Sequence, residues 1–174
     1  MKLAGLGIAA ILIVVAQPAS GQLSRPVEEG WQLTPNGYGP VRIGMTHAQA
    51  VHALGAPLEG EEISEGCAEM GAPGLEGINF MFQNGRLTRI SVWDPNGAMT
   101  PRGIGIGATE AEVRQAYGSG LDIAPHFYSG PPAKYLTFWL RPGRSGVRFE
   151  TDDEGSVVAI HAGTDSIEYV EGCA

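Results

Sequence analysis

The chain is short of basic side chains. It carries 11 lysine and arginine residues against 19 aspartate and glutamate residues, which gives a formal net charge of −8. The basic residues are scattered along the sequence rather than grouped. Nucleic acids and anionic membrane surfaces attract proteins through clustered positive charge. The composition therefore excludes both as expected partners.

Cysteine is also scarce, because the sequence has Cys67 and Cys173 and no others. Two cysteines are too few ligands for a structural zinc site, so no metal is expected. In an oxidising compartment an even number of cysteines suggests a disulfide. A Cys67–Cys173 bond would tie the middle of the chain to its C-terminal segment. Two free thiols are the alternative.

Long apolar runs are missing after the N-terminal segment. Residues 3–16 form an apolar run behind Lys2 that is too short to span a bilayer comfortably. Residues 19–21 are small, as signal-peptide cleavage requires. We therefore expect a signal peptide over residues 1–21, cleavage before Gln22, and a periplasmic or secreted protein without stable membrane insertion. An uncleaved N-terminal anchor is the alternative.

Sequence patterns of catalysis are missing as well. His47 and His52 are five residues apart on a predicted helix, which is off the three- or four-residue spacing that brings side chains together. No serine or cysteine stands in a nucleophile-elbow sequence. The glycines of residues 103–107 lack the spacing of a dinucleotide-binding loop. We expect no catalytic residue and no cofactor; a hydrolase that uses His126 or His161 is the least favoured alternative.

Acidic residues group in two places. Residues 59–69 contain five glutamates, but they lack the pattern of a calcium-binding loop. We interpret this segment as a solvated loop. Residues 152–155 read Asp-Asp-Glu-Gly, a composition typical of a hairpin turn.

One segment of the chain occurs twice. Residues 41–55 align with residues 104–118 without a gap, and self-similarity at a fixed offset indicates two copies of one structural unit. Each copy predicts a short helix with a capping box at its start and a left-handed glycine at its end. The residues in these positions are Thr46, Gln49 and Gly55 in the first copy and Thr109, Glu112 and Gly118 in the second.

Strand-like sequence follows each predicted helix. The predicted strands are residues 78–82, 87–92, 134–140, 147–151, 157–162 and 166–173, and Asn84-Gly85 predicts a tight hairpin between the first two. We predict an α+β fold in which two tandem helix-plus-antiparallel-meander units form one continuous sheet with the short helices on one face. Residues 22–37 would be an N-terminal extension, residues 38–97 the first unit and residues 98–174 the second.

Aromatic residues mark a candidate binding surface. Alternation along residues 134–140 places Tyr135 and Trp139 on the face opposite Leu136, Phe138 and Leu140, which suit the core. Exposed aromatics beside arginine are typical of protein-binding surfaces. The alternative is that these aromatics fill a second packed layer or cover a sheet edge. The full candidate set is Arg89, Trp93, His126, Phe127, Tyr128, Tyr135 and Trp139, in which residues 126–128 would form a rim.

Two parts of the sequence resemble a known family. Residues 43–57 resemble the helix motif of the BamE (SmpA/OmlA) outer-membrane assembly lipoproteins, and residues 80–90 resemble the hairpin of the same domain. The tandem arrangement is similar to that of the β-lactamase inhibitory proteins, which carry two such units and grip an enzyme with a concave sheet. This chain differs in having no lipidation cysteine and no small disulfide within each unit. The resemblance implies this fold and a protein partner.

Together these observations favour an exported, non-catalytic protein-binding module of the cell envelope. The partner would be another envelope or secreted protein, and the module would act as an enzyme inhibitor or as an accessory of outer-membrane assembly. The main alternative is a periplasmic small-ligand carrier or sensor, with a pocket between the sheet and the loop at residues 125–132.

Overall fold

A computed structural model describes residues 30–93, 95 and 98–174. The predicted signal peptide and residues 22–29 of the predicted extension lie outside the described residues. Within the described part of the chain, no helix has the length and apolarity needed to cross a membrane.

The first described residues belong to the core. They form a small antiparallel sheet of three two-residue strands, β1 (Leu33–Thr34), β2 (Gly37–Tyr38) and β3 (Val41–Arg42). Leu33, Tyr38 and Val41 are buried in the main hydrophobic cluster, and the Leu33 amide donates to the Met99 carbonyl at 2.9 Å. The described part of the predicted extension is therefore an integral part of the domain.

Two short helices, α1 (His47–Leu54) and α2 (Glu110–Tyr117), begin as predicted. The Thr46 hydroxyl accepts from the Gln49 amide at 3.3 Å, and the Gln49 side chain accepts from the Thr46 amide at 2.9 Å. Thr109 and Glu112 repeat this exchange at 3.3 and 2.7 Å. Both capping boxes are confirmed.

The helix ends differ from each other. Gly55 has φ 67° and ψ 20°, the predicted left-handed conformation. Gly118 also has a positive φ, 65°, but its ψ of −148° lies outside the left-handed helical region. The prediction for Gly118 is wrong in this respect, because a 3₁₀ turn (Gly118–Gly120) follows at once and redirects the chain into the next strand.

An eight-stranded antiparallel sheet dominates the fold. Its strands are β4 (Glu59–Ser64), β5 (Cys67–Gly71), β6 (Ile78–Gln83), β7 (Arg86–Val92), β8 (Leu121–Pro125), β9 (Lys134–Arg141), β10 (Ser145–Thr151) and β11 (Val157–Gly163). The spatial order is β4-β5-β6-β7-β11-β10-β9-β8. The four strands after α1 thus meet the four after α2 where β7 pairs with β11, with Val92 opposite Ile160. One continuous sheet and an α+β fold are confirmed.

The sheet and both helices share one core. Phe80 of β6 and Phe149 of β10 are fully buried in the same cluster as Leu54 of α1 and Val113 of α2. Alternate residues of each strand therefore face the helices, and the residues between them face the other side of the sheet.

Three strands of the eight-stranded sheet were not predicted, in addition to the short strands β1 to β3. β4 and β5 occupy the segment interpreted as a solvated loop, and β8 precedes the aromatic loop. All six residues of β4 are exposed, so its glutamates do lie in solvent but on an edge strand. An edge strand without a buried face lacks the alternation that marks a strand in sequence.

The predicted last strand at residues 166–173 is wrong. The chain instead forms a 3₁₀ helix (Asp165–Glu168) and then turns toward the end of the described chain. We call residues 164–174 the C-terminal segment. It packs on the sheet face opposite the helices, where Ile167 is buried. The predicted disulfide between Cys67 and Cys173 is confirmed, with a Cα–Cα distance of 5.5 Å.

Candidate functional site

The sheet face away from the helices carries a row of polar residues. Strand register aligns them across β6, β7, β11, β10 and β9 in the order Asn79, Ser91, His161, Arg148 and Thr137. A neighbouring row pairs Glu150 with Tyr135, and another pairs Met81 with Arg89 and Arg89 with Gly163. This polar face is where the structure brings most of the candidate residues together.

Glu150 lies between two imidazoles. His161 Nε2 is 3.1 Å from Glu150 Oε1, and His126 Nε2 is 3.6 Å from Glu150 Oε2. His161 Nδ1 is 2.7 Å from the Ser91 hydroxyl oxygen, and His126 Nδ1 accepts from the Ser129 amide at 3.2 Å. Each neutral ring therefore fits the tautomer that carries its proton on Nε2 and directs it at the carboxylate.

Burial and charge set the protonation of this cluster. Burial is the largest cause that lowers the pKa of His161, although hydrogen bonding to Glu150 opposes it. Burial also acts to raise the pKa of Glu150, but hydrogen bonding and charge from His161 outweigh it and leave the pKa below its ordinary value. At neutral pH the cluster is a neutral His161 beside an ionised Glu150.

We expect acid to destabilise the protein through His161. Because its pKa is lowered on folding, the unfolded chain takes up a proton below about pH 6.5 that the folded protein does not bind. The free energy of unfolding should then fall by at most about 1.4 kcal/mol per pH unit for this proton. Protonation of Glu150 in the unfolded chain lowers the free energy of unfolding further below about pH 4.5, because the pKa of Glu150 is also lowered on folding. Urea unfolding between pH 8 and pH 5 measures the His161 slope.

His161→Gln should flatten that slope, whatever its effect on stability at pH 8. His52→Gln is the matched control, since His52 is exposed on α1 and should leave the slope unchanged. The same slope in wild type and His161→Gln would contradict the assignment.

Ser91, His161 and Glu150 are linked by hydrogen bonds in the sequence hydroxyl, imidazole and carboxylate, as in a catalytic triad. However, Ser91, near the C-terminal end of β7, is 2% exposed, and His161 is buried beside it. A substrate would have no path to the hydroxyl, which a covalent mechanism requires. This geometry does not support the hydrolase alternative built on His161. In the described part of the chain, no group of three or more potential ligand side chains is arranged to hold a metal.

The two arginines of this face bind the C-terminal segment. Arg89 is 3% exposed, so the expectation of an exposed Arg89 is wrong. Its guanidinium donates to the carbonyls of Ser166 at 3.2 Å and Tyr169 at 2.9 Å and meets Glu69 at 3.3 Å. Arg148 donates to the Ile167 carbonyl at 3.3 Å. Burial is the main cause that lowers the pKa of both arginines.

Tyr135 and Trp139 also differ from the predicted exposed surface. Tyr135 is 4% exposed and lies between the His126 ring, 4.6 Å away between centroids, and the Arg148 guanidinium, 4.1 Å from its ring centroid. Trp139 is half-buried next to Gly146, where a Cβ would come within 2.6 Å of the indole. These two residues fit the alternative of a second packed layer.

The alternation along β9 predicts Leu140 in the core. This prediction is wrong, because Leu140 is 53% exposed. Leu136 of the same strand is fully buried. The last two residues of β9 are exposed because the strand runs past the core at this end.

The two most exposed aromatic side chains of the described residues lie on the loop between β8 and β9. We call residues 126–133 the aromatic loop. Phe127 is 72% exposed and Tyr128 is 61% exposed, and their rings meet edge to face at 5.1 Å. Trp93 is also exposed and packs edge-on against His161 at 5.9 Å.

The aromatic loop is held by hydrogen bonds at its base. The His126 amide donates to the Ala133 carbonyl at 3.0 Å, and the Gly130 amide donates to the His126 carbonyl at 2.8 Å. The Phe127 amide donates to the Tyr135 hydroxyl at 3.4 Å. The Tyr128 hydroxyl donates to a carboxylate oxygen of Glu171 in the C-terminal segment. These bonds fix the direction in which the two aromatic rings project.

No protein-family model, curated protein or solved structure matches this chain. The resemblance to the BamE lipoproteins and the β-lactamase inhibitory proteins stays a prediction. What the chain does must therefore be inferred from its own residues.

One surface concavity touches the loop where a ligand pocket was predicted, but its other lining residues belong to the β10–β11 turn and not to the sheet face. The aromatic loop borders a concavity of about 340 Å³ that is formed by Ser129 and residues 152–154. A larger and more apolar concavity, of about 870 Å³, lies against α1 and residues 55–57.

Sequence reasoning did not select Ser91, Arg148 or Glu150 for this face. In β10, Arg148 and Glu150 alternate with the buried Val147 and Phe149 and therefore share the face opposite the core. That they meet His161 depends on the register between β10 and β11, which the sequence does not reveal.

Proposed function

We propose that the protein is an exported, non-catalytic protein-binding module whose aromatic loop anchors the partner. The observation that carries this proposal is the pair Phe127 and Tyr128, exposed on a loop whose base is hydrogen-bonded. Aromatic side chains dominate the binding energy of many interfaces. A fixed loop also loses little conformational entropy on binding.

The proposal also includes export of the protein and its organisation as two repeated units. Export rests on the predicted signal peptide at residues 1–21 and is supported by the disulfide, which is typical of an oxidising compartment. We also propose that residues 38–97 and 98–174 are two copies of one unit. The two capping boxes and the four strands on either side of the β7–β11 pair support this. The partner would be an envelope or secreted protein, either an enzyme that is inhibited or a component of outer-membrane assembly.

Phe127→Ala/Tyr128→Ala should abolish partner capture. Each aromatic anchor is expected to contribute about 2 kcal/mol, or roughly 30-fold in affinity. The test is in-cell crosslinking of the tagged full chain, followed by mass spectrometry of the proteins that co-purify. The double variant should lose the dominant partner and remain folded, because both side chains are exposed and the hydroxyl that is removed bonds an exposed carboxylate, that of Glu171.

Leu140→Ala is the matched control. It also removes an exposed apolar side chain, on the strand that follows the loop, and should capture the same partner as wild type. Capture of that partner by the Phe127/Tyr128 variant at wild-type level would overturn the proposal. The identity of the partner distinguishes an inhibitor from an assembly accessory.

A further inference from the structure

We propose that the partner presents arginine side chains on a basic segment to the aromatic loop. This inference rests on the proposed function and adds the chemistry of the partner. It follows from the groups that surround Phe127 and Tyr128.

Carboxylates flank the aromatic loop on one side through the β10–β11 turn. Ser129 borders the same concavity as Asp152, Asp153 and Glu154. Asp152 Oδ1 accepts from the amides of Glu154 at 3.0 Å and Ser156 at 2.8 Å, so this carboxylate shapes the turn. Asp153 and Glu154 are exposed and extend the turn's negative charge toward solvent.

The C-terminal segment supplies carboxylates on another side of the loop. Glu171 accepts the hydrogen bond of the Tyr128 hydroxyl, and Glu168 is exposed in the same segment. Tyr169 and Val170 lie between them in sequence and are exposed too. Carboxylates of two different segments therefore border the aromatic loop.

The cations near the loop are engaged by other groups. Lys134, at the start of β9, binds Glu110 at 2.7 Å, and Arg114 binds the same carboxylate at 2.6 Å. Arg148 is buried with its guanidinium over Tyr135. The field that a partner meets at the loop is therefore negative.

Arginine suits this surface better than any other side chain. Its planar guanidinium stacks on aromatic rings and binds carboxylates with two parallel hydrogen bonds. The protein itself uses the stacking geometry elsewhere, where Arg102 lies 4.5 Å over the Tyr117 ring. A lysine would supply the charge without the planar stack.

The decisive comparison is between two charge reversals of equal size. Asp153→Lys/Glu154→Lys reverses the charge of the two exposed residues beside the aromatic loop. Glu59→Lys/Glu61→Lys makes the same change in net charge on β4, which is the edge strand farthest from β8 in the sheet order. Both pairs are exposed, so both variants should fold, which the unfolding temperature checks.

The probes are fluorescein-labelled peptides of six arginines and of six lysines, measured by fluorescence anisotropy at two salt concentrations. The wild type should bind the arginine peptide several-fold more tightly than the lysine peptide. The reversal beside the loop should weaken arginine-peptide binding at least tenfold, and the β4 reversal less than twofold. Glu171→Gln keeps an acceptor for the Tyr128 hydroxyl and should weaken binding by an intermediate factor.

Equal losses of arginine-peptide affinity in the two charge-reversal variants would mean that net charge alone attracts the peptide. That result would overturn the inference. Equal affinity for the two peptides would overturn it as well. Partner capture in cells separates this inference from the proposed function. If Phe127→Ala/Tyr128→Ala loses the partner while Asp153→Lys/Glu154→Lys retains it, the binding module stands and the basic partner does not.

Discussion

Replacing both Cys67 and Cys173 by alanine is expected to lower the free energy of unfolding by about 4 kcal/mol. The disulfide joins residues separated by 106 positions, and closing so long a loop removes much conformational entropy from the unfolded chain. Alanine is preferred to serine because both sulfurs are buried beside Met81, where a hydroxyl would lack a partner. In a protein of this size the loss corresponds to a fall in unfolding temperature of about 8–16 °C.

Reductant provides the control for this prediction. It should shift the thermal unfolding of the wild type by a similar amount and leave the double alanine variant unchanged. An oxidised wild type that unfolds at the temperature of the variant would show that the bond does not restrict the unfolded chain.

Arg89→Met is expected to destabilise the fold by about 3 kcal/mol. The variant removes the donors that hold the carbonyls of Ser166 and Tyr169. It also removes the cation paired with Glu69, which keeps a hydrogen bond from the Asn79 side-chain amide at 3.5 Å. Methionine keeps much of the side-chain volume, so the loss reflects hydrogen bonds and charge more than packing. Arg89 Nε is buried without a hydrogen-bond partner among the described residues. The variant also removes this unsatisfied donor, which makes the loss of stability smaller. Urea unfolding at pH 7.5 measures it.

Arg86→Met is the matched control on the same strand. Arg86 is exposed and donates to the Gly44 carbonyl at 3.2 Å, so its loss should change stability by less than about 0.5 kcal/mol. Because Arg89 and the disulfide hold the same C-terminal segment, their removals should be non-additive in the combined variant. Equal effects of Arg89→Met and Arg86→Met would contradict the anchoring role of Arg89.

Local signals in the sequence predicted the local structure well. Thr46 and Thr109 were identified as helix starts because a capping box needs only residues three apart. The Asn84-Gly85 pair predicts a hairpin because these two residue types favour a two-residue turn, and in the structure both residues take a positive φ, 48° and 74°. These features depend on neighbours in sequence and not on the rest of the fold.

Features that depend on distant contacts were predicted poorly. Arg89 and Tyr135 alternate with core residues and therefore read as exposed, but the C-terminal segment and the aromatic loop cover them. Residues 166–173 resemble a strand in sequence because Ile167, Tyr169 and Val170 are strand-forming types, but they belong to the segment that covers Arg89. Sequence alternation indicates which residues share a face, but it does not indicate what packs over that face.

The candidate site was predicted in part for the same reason. Phe127 and Tyr128 were correctly placed in a loop, because glycine and prolines surround them. The cluster of His126, Glu150 and His161 could not be assembled, since it requires the register of three strands and the path of the loop.

The pairing of β7 with β11 has a consequence for synthesis of the chain. The Cys67–Cys173 separation is 106 residues, and ribosomes add about 5–20 residues per second, so Cys67 exists for roughly 5 to 20 s before its partner is made. For most of that time β7 has no β11 beside it, and its bare edge is open to pairing with a strand of another nascent chain. We therefore expect half-made chains to associate more readily than finished ones, in which β11 pairs with β7.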